Sequence, residues 1–121
     1  MPSFVVESAM VRIVVITFMG LGLIAGTASA QTAAIERGTK VYAAEKCSVC
    51  HSIGDQGNRK GPLDSVGSKL SAEEIRQWLV NAAEMAAKTK ATRKPVMRSY
   101  THLSKEDTEA LVAYMLSLKK T

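Results

Sequence analysis

Apolar positions recur at helical spacing in three places, and no stretch alternates with the period of a strand. Ile35, Gly38, Val41 and Tyr42 share one face of a helix predicted from Ala33 to Lys46, with Thr32 as its N-cap. Ser71-Ala72-Glu73-Glu74 has the S-x-x-E form of a capping box. It opens a second helix, to about Ala83, with Ile75, Trp78, Leu79 and Ala82 inward. Ser104-Lys105-Glu106-Asp107 is read as a second capping box, and the helix that follows runs to about Lys119. Its apolar face is Leu111, Tyr114, Met115 and Leu118. Glu106, Asp107 and Glu109 fall in its first turns and Lys119 and Lys120 at its end, as the helix dipole favours. Gly38 in mid-helix costs about 1 kcal/mol against alanine. It therefore predicts a close crossing with another helix.

Two long connections join these helices. Ser52 to Leu70 is polar and punctuated by glycine, with a turn at Gly61-Pro62-Leu63. Residues 84–103 carry Lys88, Lys90, Arg93, Lys94 and Arg98 around Pro95-Val96-Met97, and a loop that long in a small domain is usually functional. There is no repeat, low-complexity tract or phosphate-binding glycine motif. The expected class is all-α: three main helices and long loops.

The N-terminus reads differently. Arg12 precedes an uncharged apolar run from Ile13 to Gly26, and Ala28-Ser29-Ala30 has the A-x-A form of a cleavage site. Residues 1–30 are expected to be a secretory signal peptide, leaving a domain of residues 31–121 and no stable membrane anchor. Glu7 suits such a leader poorly, and a start at Met10 would remove it. The chain of 121 residues has a net charge of +5, and loss of Glu7 and Arg12 together leaves that unchanged. Export argues against a nucleic-acid partner. A domain of about 90 residues is only marginally able to build its own core. Its aromatics are few: Trp78, Tyr42, Tyr100 and Tyr114.

What would fill that core is indicated by Cys47-Ser48-Val49-Cys50-His51, which reads C-x-x-C-H, the attachment pattern of a c-type haem. Two thiols three residues apart on one turn can each form a thioether to a haem vinyl group. The next residue, His51, then lies under the iron and offers a ring nitrogen. These are the only two cysteines in the chain. A thioredoxin-type motif needs an α/β setting that is missing, and a zinc site needs ligands the chain does not have. The sixth iron position has four candidates: Met85, Met97, Met115 and His102. Met115 falls on the buried face of the last helix, Met85 follows the middle helix, and Met97 follows a proline in a loop. His102 would give bis-histidine ligation and a lower potential.

The chain resembles the class I c-type cytochromes, the small bacterial mono-haem group, over nearly all of residues 31–121. The matching features are Gly38 and Tyr42 before Cys47, Gly61-Pro62-Leu63 after the haem motif, and Met97, Tyr100, Leu103, Leu111 and Tyr114 in a distal register. The resemblance implies a cytochrome c-like fold around one covalent haem c. It also implies a crossing of the first and last helices at Gly38, and the Pro62 carbonyl holding the His51 N–H. Met97 would be on the iron and Trp78 at a propionate. Where the family often has proline after the ligand methionine, this chain has Arg98. The implied function is single-electron transfer between protein redox partners of a respiratory or periplasmic chain. The carrier would be a monomer, and its basic segment would steer an acidic docking surface. The rival readings are a haem peroxidase or gas sensor with an open sixth site, and a subunit docked permanently in a larger assembly.

Overall fold

The structure, a computed structural model, describes residues 24–121. The chain forms two compact units, residues 1–32 and 33–121. Of the first, residues 24–32 are described; they are helical, and exposed from Gly26 onward. Glu7, Met10, Arg12 and most of the apolar run lie outside the described residues.

Helix α1, Ile24–Ala44, continues through the expected cleavage point after Ala30. Thr32 is therefore not the N-cap expected of it. Its Oγ1 donates to the Ala28 carbonyl at 3.0 Å, one turn back within the helix. The physical reason is composition: residues 27–37 hold no glycine or proline, so nothing stops the helix.

In the second unit, a 3₁₀ turn at Cys47–Val49 is followed by β1, Ser52–Ile53, and β2, Gln56–Gly57. These two short strands pair antiparallel, a ribbon too brief to leave a period-two signal. Four helices follow: α2, Val66–Lys69; α3, Ala72–Val80; α4, Ala82–Lys88; and α5, Lys105–Ser117. The capping box at α3 forms as its sequence predicts. Glu74 N–H donates to Ser71 Oγ at 3.2 Å, and Ser71 N–H donates to Glu74 Oε2 at 2.8 Å. The single helix expected from 71 to 83 is instead two. The chain breaks at Asn81, with φ −131° and ψ 45°, and the freed Ala82 N–H donates to Ser99 Oγ at 3.0 Å. A bond from far along the chain thus replaces one inside the helix.

The core is centred on α5. Leu111, Val112 and Met115 meet Ile75 and Leu79 of α3. Each such side chain contributes about 1.5–3 kcal/mol when fully removed from water. Across the top of this contact Arg76 makes two bonds to Glu109, of 2.6 and 2.9 Å, and also pairs with Glu73. α2 lies against the far end of α5: Gly67 N–H donates to the Leu118 carbonyl at 2.9 Å, and Lys119 Nζ to the Gly67 carbonyl at 2.6 Å. The predicted crossing at Gly38 is present. A Cβ there would sit 2.7 Å from both the Ala110 carbonyl carbon and Tyr114 Cβ, so only glycine lets α1 approach α5 this closely. Tyr42 and Tyr114 meet edge to face beside it, ring centres 5.8 Å apart.

Ile75, Leu79 and Ala82 are buried as expected, but Trp78 is not one of the core residues. It is half-buried on α3 and stands apart from the apolar residues packed on the core cluster. Its position follows from the helix. Ile75 and Leu79, four apart, point at α5, and Trp78 is rotated to the edge of that stripe.

Candidate functional site

The Cys47–His51 turn leaves α1 through Lys46, whose φ of 55° reverses the chain direction. It closes on itself through Cys50 N–H and His51 N–H, which donate to the Cys47 carbonyl at 3.1 and 2.9 Å. Cys47 is half-buried, Cys50 is exposed, and both are unbridged thiols. Burial and the nearby Glu45 push the Cys47 thiol up to about 11, so it stays protonated at neutral pH.

The loop from 57 to 63 clamps this turn from below. Asn58 N–H donates to the carbonyls of Ser48 and His51 at 3.0 and 2.9 Å, and Asn58 Nδ2 to the Val49 carbonyl at 3.1 Å. Gly57 has φ 94° and approaches the Ser48 and His51 carbonyls, which a side chain would obstruct. Ser52 and Pro62 form a parallel bridge, with Ser52 N–H on the Gly61 carbonyl at 3.1 Å and Leu63 N–H on the Ser52 carbonyl at 2.8 Å.

That bridge turns the Gly61 carbonyl towards the ring of His51, and Nδ1 lies 3.0 Å from it. A carbonyl only accepts, so Nδ1 carries the proton and Nε2 keeps its lone pair free for a metal. The carbonyl implied by resemblance was that of Pro62. The structure gives the role to Gly61, because the Ser52 pairing aligns the Gly61 peptide with the motif. His51 is held below the usual histidine range, by burial first, with the Gly61 bond opposing it and the Arg93 charge adding to it. The ring is consequently neutral at physiological pH, as a ligand must be.

The 84–103 connection returns to this site at two points. The Arg93 guanidinium lies against Gly61, where its Cζ would be 2.9 Å from an added Cβ. Arg98 stacks on the Tyr100 ring at 5.1 Å and is close enough to Cys47 for each to shift the other electrostatically. Met97, between them, is partly buried with Tyr100 and Leu103 against the core cluster. The other candidates are engaged elsewhere. Met115 belongs to the core, Met85 is buried on α4, and exposed His102 donates from Nε2 to Glu45 Oε2 at 3.1 Å. A family model described as Cytochrome c matches residues 35–119, which span α1 from Ile35, this turn, its clamp and α5.

The chain belongs to the cytochrome c family. No curated protein and no solved structure matches it.

Haem c, covalently attached and carrying iron, is the cofactor of this family, and the residues of this cytochrome suit it. Two unbridged thiols stand at the C-x-x-C spacing beside an imidazole whose Nε2 is free. Val41, Leu63, Met97, Tyr100 and Leu103 are only partly covered by the described residues. Val49 and Val96 are 67% and 42% exposed. The Tyr42 hydroxyl is buried without a hydrogen-bond partner among the described residues. A large apolar disc joined to Cys47 and Cys50 would give these surfaces a neighbour. Pro62 is exposed beside Gly61, and Trp78 lies on α3 with its indole N–H making no hydrogen bond among the described residues. Sequence reasoning missed three features of the site: the Asn58 clamp, the Arg93 contact and the Tyr42 hydroxyl. The Asn58 clamp depends on the chain reversal at β1 and β2, and the Arg93 contact joins distant loops, so no local pattern records either.

Proposed function

We propose that this cytochrome is exported to the periplasm and carries single electrons there, with haem c bonded to Cys47 and Cys50 and its iron held between His51 Nε2 and the sulfur of Met97. The cofactor supplies an iron that accepts and returns one electron without any substrate bond being made. Cys47 and Cys50 would each hold the group through one thioether. Gly61 holds the His51 ring in its metal-ready tautomer. Met97 sulfur favours the reduced state over what a second imidazole would give. Pro62 and Trp78 are assigned as flanking contacts of the cofactor. Residues 1–30 act as the leader and 31–121 as the carrier, a monomer.

Lys88, Lys90, Lys94 and Arg98 are exposed on the segment that carries Met97. In this reading they steer an acidic protein partner towards the site, with rates that fall as salt rises. The observation that carries the axial assignment is the course of that segment. Arg93 reaches Gly61 beside His51, and Arg98 comes near Cys47, so Met97 belongs to the stretch that bridges the motif.

The test compares Met97→Ala with Met115→Ala in protein matured in a host that attaches haem. Met97→Ala should keep the covalent haem, turn high-spin and lose the weak red band of sulfur-ligated ferric iron. Met115→Ala should keep that band and lose about 2–5 kcal/mol of stability. A Met97→Ala protein that remains low-spin with the red band intact would remove Met97 from the iron.

A further inference from the structure

The Tyr42 hydroxyl is a buried polar group with no partner among the described residues. Its oxygen is shielded from solvent and makes no hydrogen bond among the described residues. The ring is not free to turn and find one. It stands edge to face against Tyr114 at an interplanar angle of 83°, beside the Gly38 crossing where the two helix backbones nearly touch. An unsatisfied buried hydroxyl costs about 1–3 kcal/mol, and phenylalanine would fill the same space without that cost.

Two facts say where the partner lies. Tyr42 is five residues before Cys47, at the end of α1 that delivers the haem motif. Burial first, and then the neighbourhood of the Cys47 sulfur, push the phenol up to about 12. The phenol therefore keeps its proton at neutral pH and has a hydrogen to donate. As a thiol, Cys47 accepts no hydrogen bond from it. Thioether formation replaces the S–H with a second carbon, leaving a sulfur that has lone pairs and no donor of its own, and reorients the side chain towards its new bond.

We infer that Tyr42 is a positioning residue for the covalent haem, its hydroxyl donating to the Cys47 sulfur once that sulfur has become a thioether. The bond locks the first thioether to α1 and draws electron density from the ring edge, which favours the reduced state. Haem propionates are not the acceptor, since they lie on the pyrroles opposite the thioether bonds. The inference rests on Cys47 carrying a thioether, and loss of haem colour from the chain on denaturation would defeat that reading first.

The experiment uses the haem-loaded protein and its Tyr42→Phe variant, with covalent haem checked in both by denaturing electrophoresis. Because the haem stays attached on unfolding, both states retain it. Loss of the bond should raise the unfolding equilibrium constant about fivefold, the effect of an ordinary net hydrogen bond. It should also lower the midpoint potential. A purely structural tyrosine would leave the potential alone, and an orphaned hydroxyl would make the variant more stable. Either result overturns the inference. A second measurement needs no variant: the C–S stretching bands of the wild-type resonance Raman spectrum should shift between H₂O and D₂O. Bands that do not move also overturn it.

Discussion

Replacing Gly38 by alanine sets two well-understood effects against each other. Alanine in mid-helix is worth about 1 kcal/mol over glycine, so propensity alone predicts a more stable protein. The crossing predicts the opposite. The new Cβ would lie 2.7 Å from the Ala110 carbonyl carbon and from Tyr114 Cβ, where ordinary contact begins near 3.4 Å. The obstructing atoms belong largely to the α5 backbone and cannot rotate away, so α1 and α5 must part by about 0.7 Å or more, an overpacking cost of about 1–3 kcal/mol. Parting the helices also loosens the Tyr42–Tyr114 pair, worth a further 0.5–1.5 kcal/mol or so. The balance is a loss of about 2 kcal/mol, or roughly 8–16 °C in Tm for a domain of this size. The assay is thermal unfolding of the haem-loaded variant by far-ultraviolet circular dichroism. Thr39→Ala serves as the control, one residue along on the exposed face, where alanine should be neutral or slightly stabilising. A Gly38→Ala protein that melts higher than wild type, by the increment helix propensity predicts, would show that no tight crossing exists at Gly38.

Gly61→Ala should lower stability by about 1–3 kcal/mol, because its Cβ would meet both the Arg93 guanidinium and the Cys50 carbonyl, and only the first can move. The same variant should speed hydrogen exchange at His51 Nδ1, whose bond to the Gly61 carbonyl depends on that loop staying in place; unchanged exchange would refute the clamp. Asp107 is held below the usual aspartate range, chiefly by the hydrogen bond from Arg37 Nε at 2.7 Å. Its folded form binds a proton less readily than its unfolded form, so its contribution is complete above the ordinary aspartate value near 3.8 and is lost as the pH falls through the lower folded value. Arg37→Gln should raise the Asp107 midpoint in an NMR titration, and a midpoint that stays put would mean the α1–α5 ion pair is not formed in solution.

The sequence by itself determined what depends on neighbours a few residues apart. The starts of α3 and α5 were legible because Ser71 and Ser104 bond to backbone groups three residues on. The haem motif was legible because both thiols and the imidazole sit within five consecutive residues, and Gly38 announced its crossing through a local cost that needed a distant justification. Tertiary structure decided the rest. Asn81 ends α3 because Ser99, far along the chain, supplies a competing acceptor for Ala82 N–H. Trp78 leaves the core because the direction of α5 selects Ile75 and Leu79. Gly61 rather than Pro62 orients His51 because Ser52 pairs across the turn and sets the plane of the Gly61 peptide. Arg93 meets Gly61, and His102 is held by Glu45, only because the 84–103 connection folds back over the motif. Local hydrogen bonding and helical period are written in short stretches of sequence. Which loop supplies a carbonyl, and which side chain lies across it, is settled by loop closure and burial summed over the whole domain.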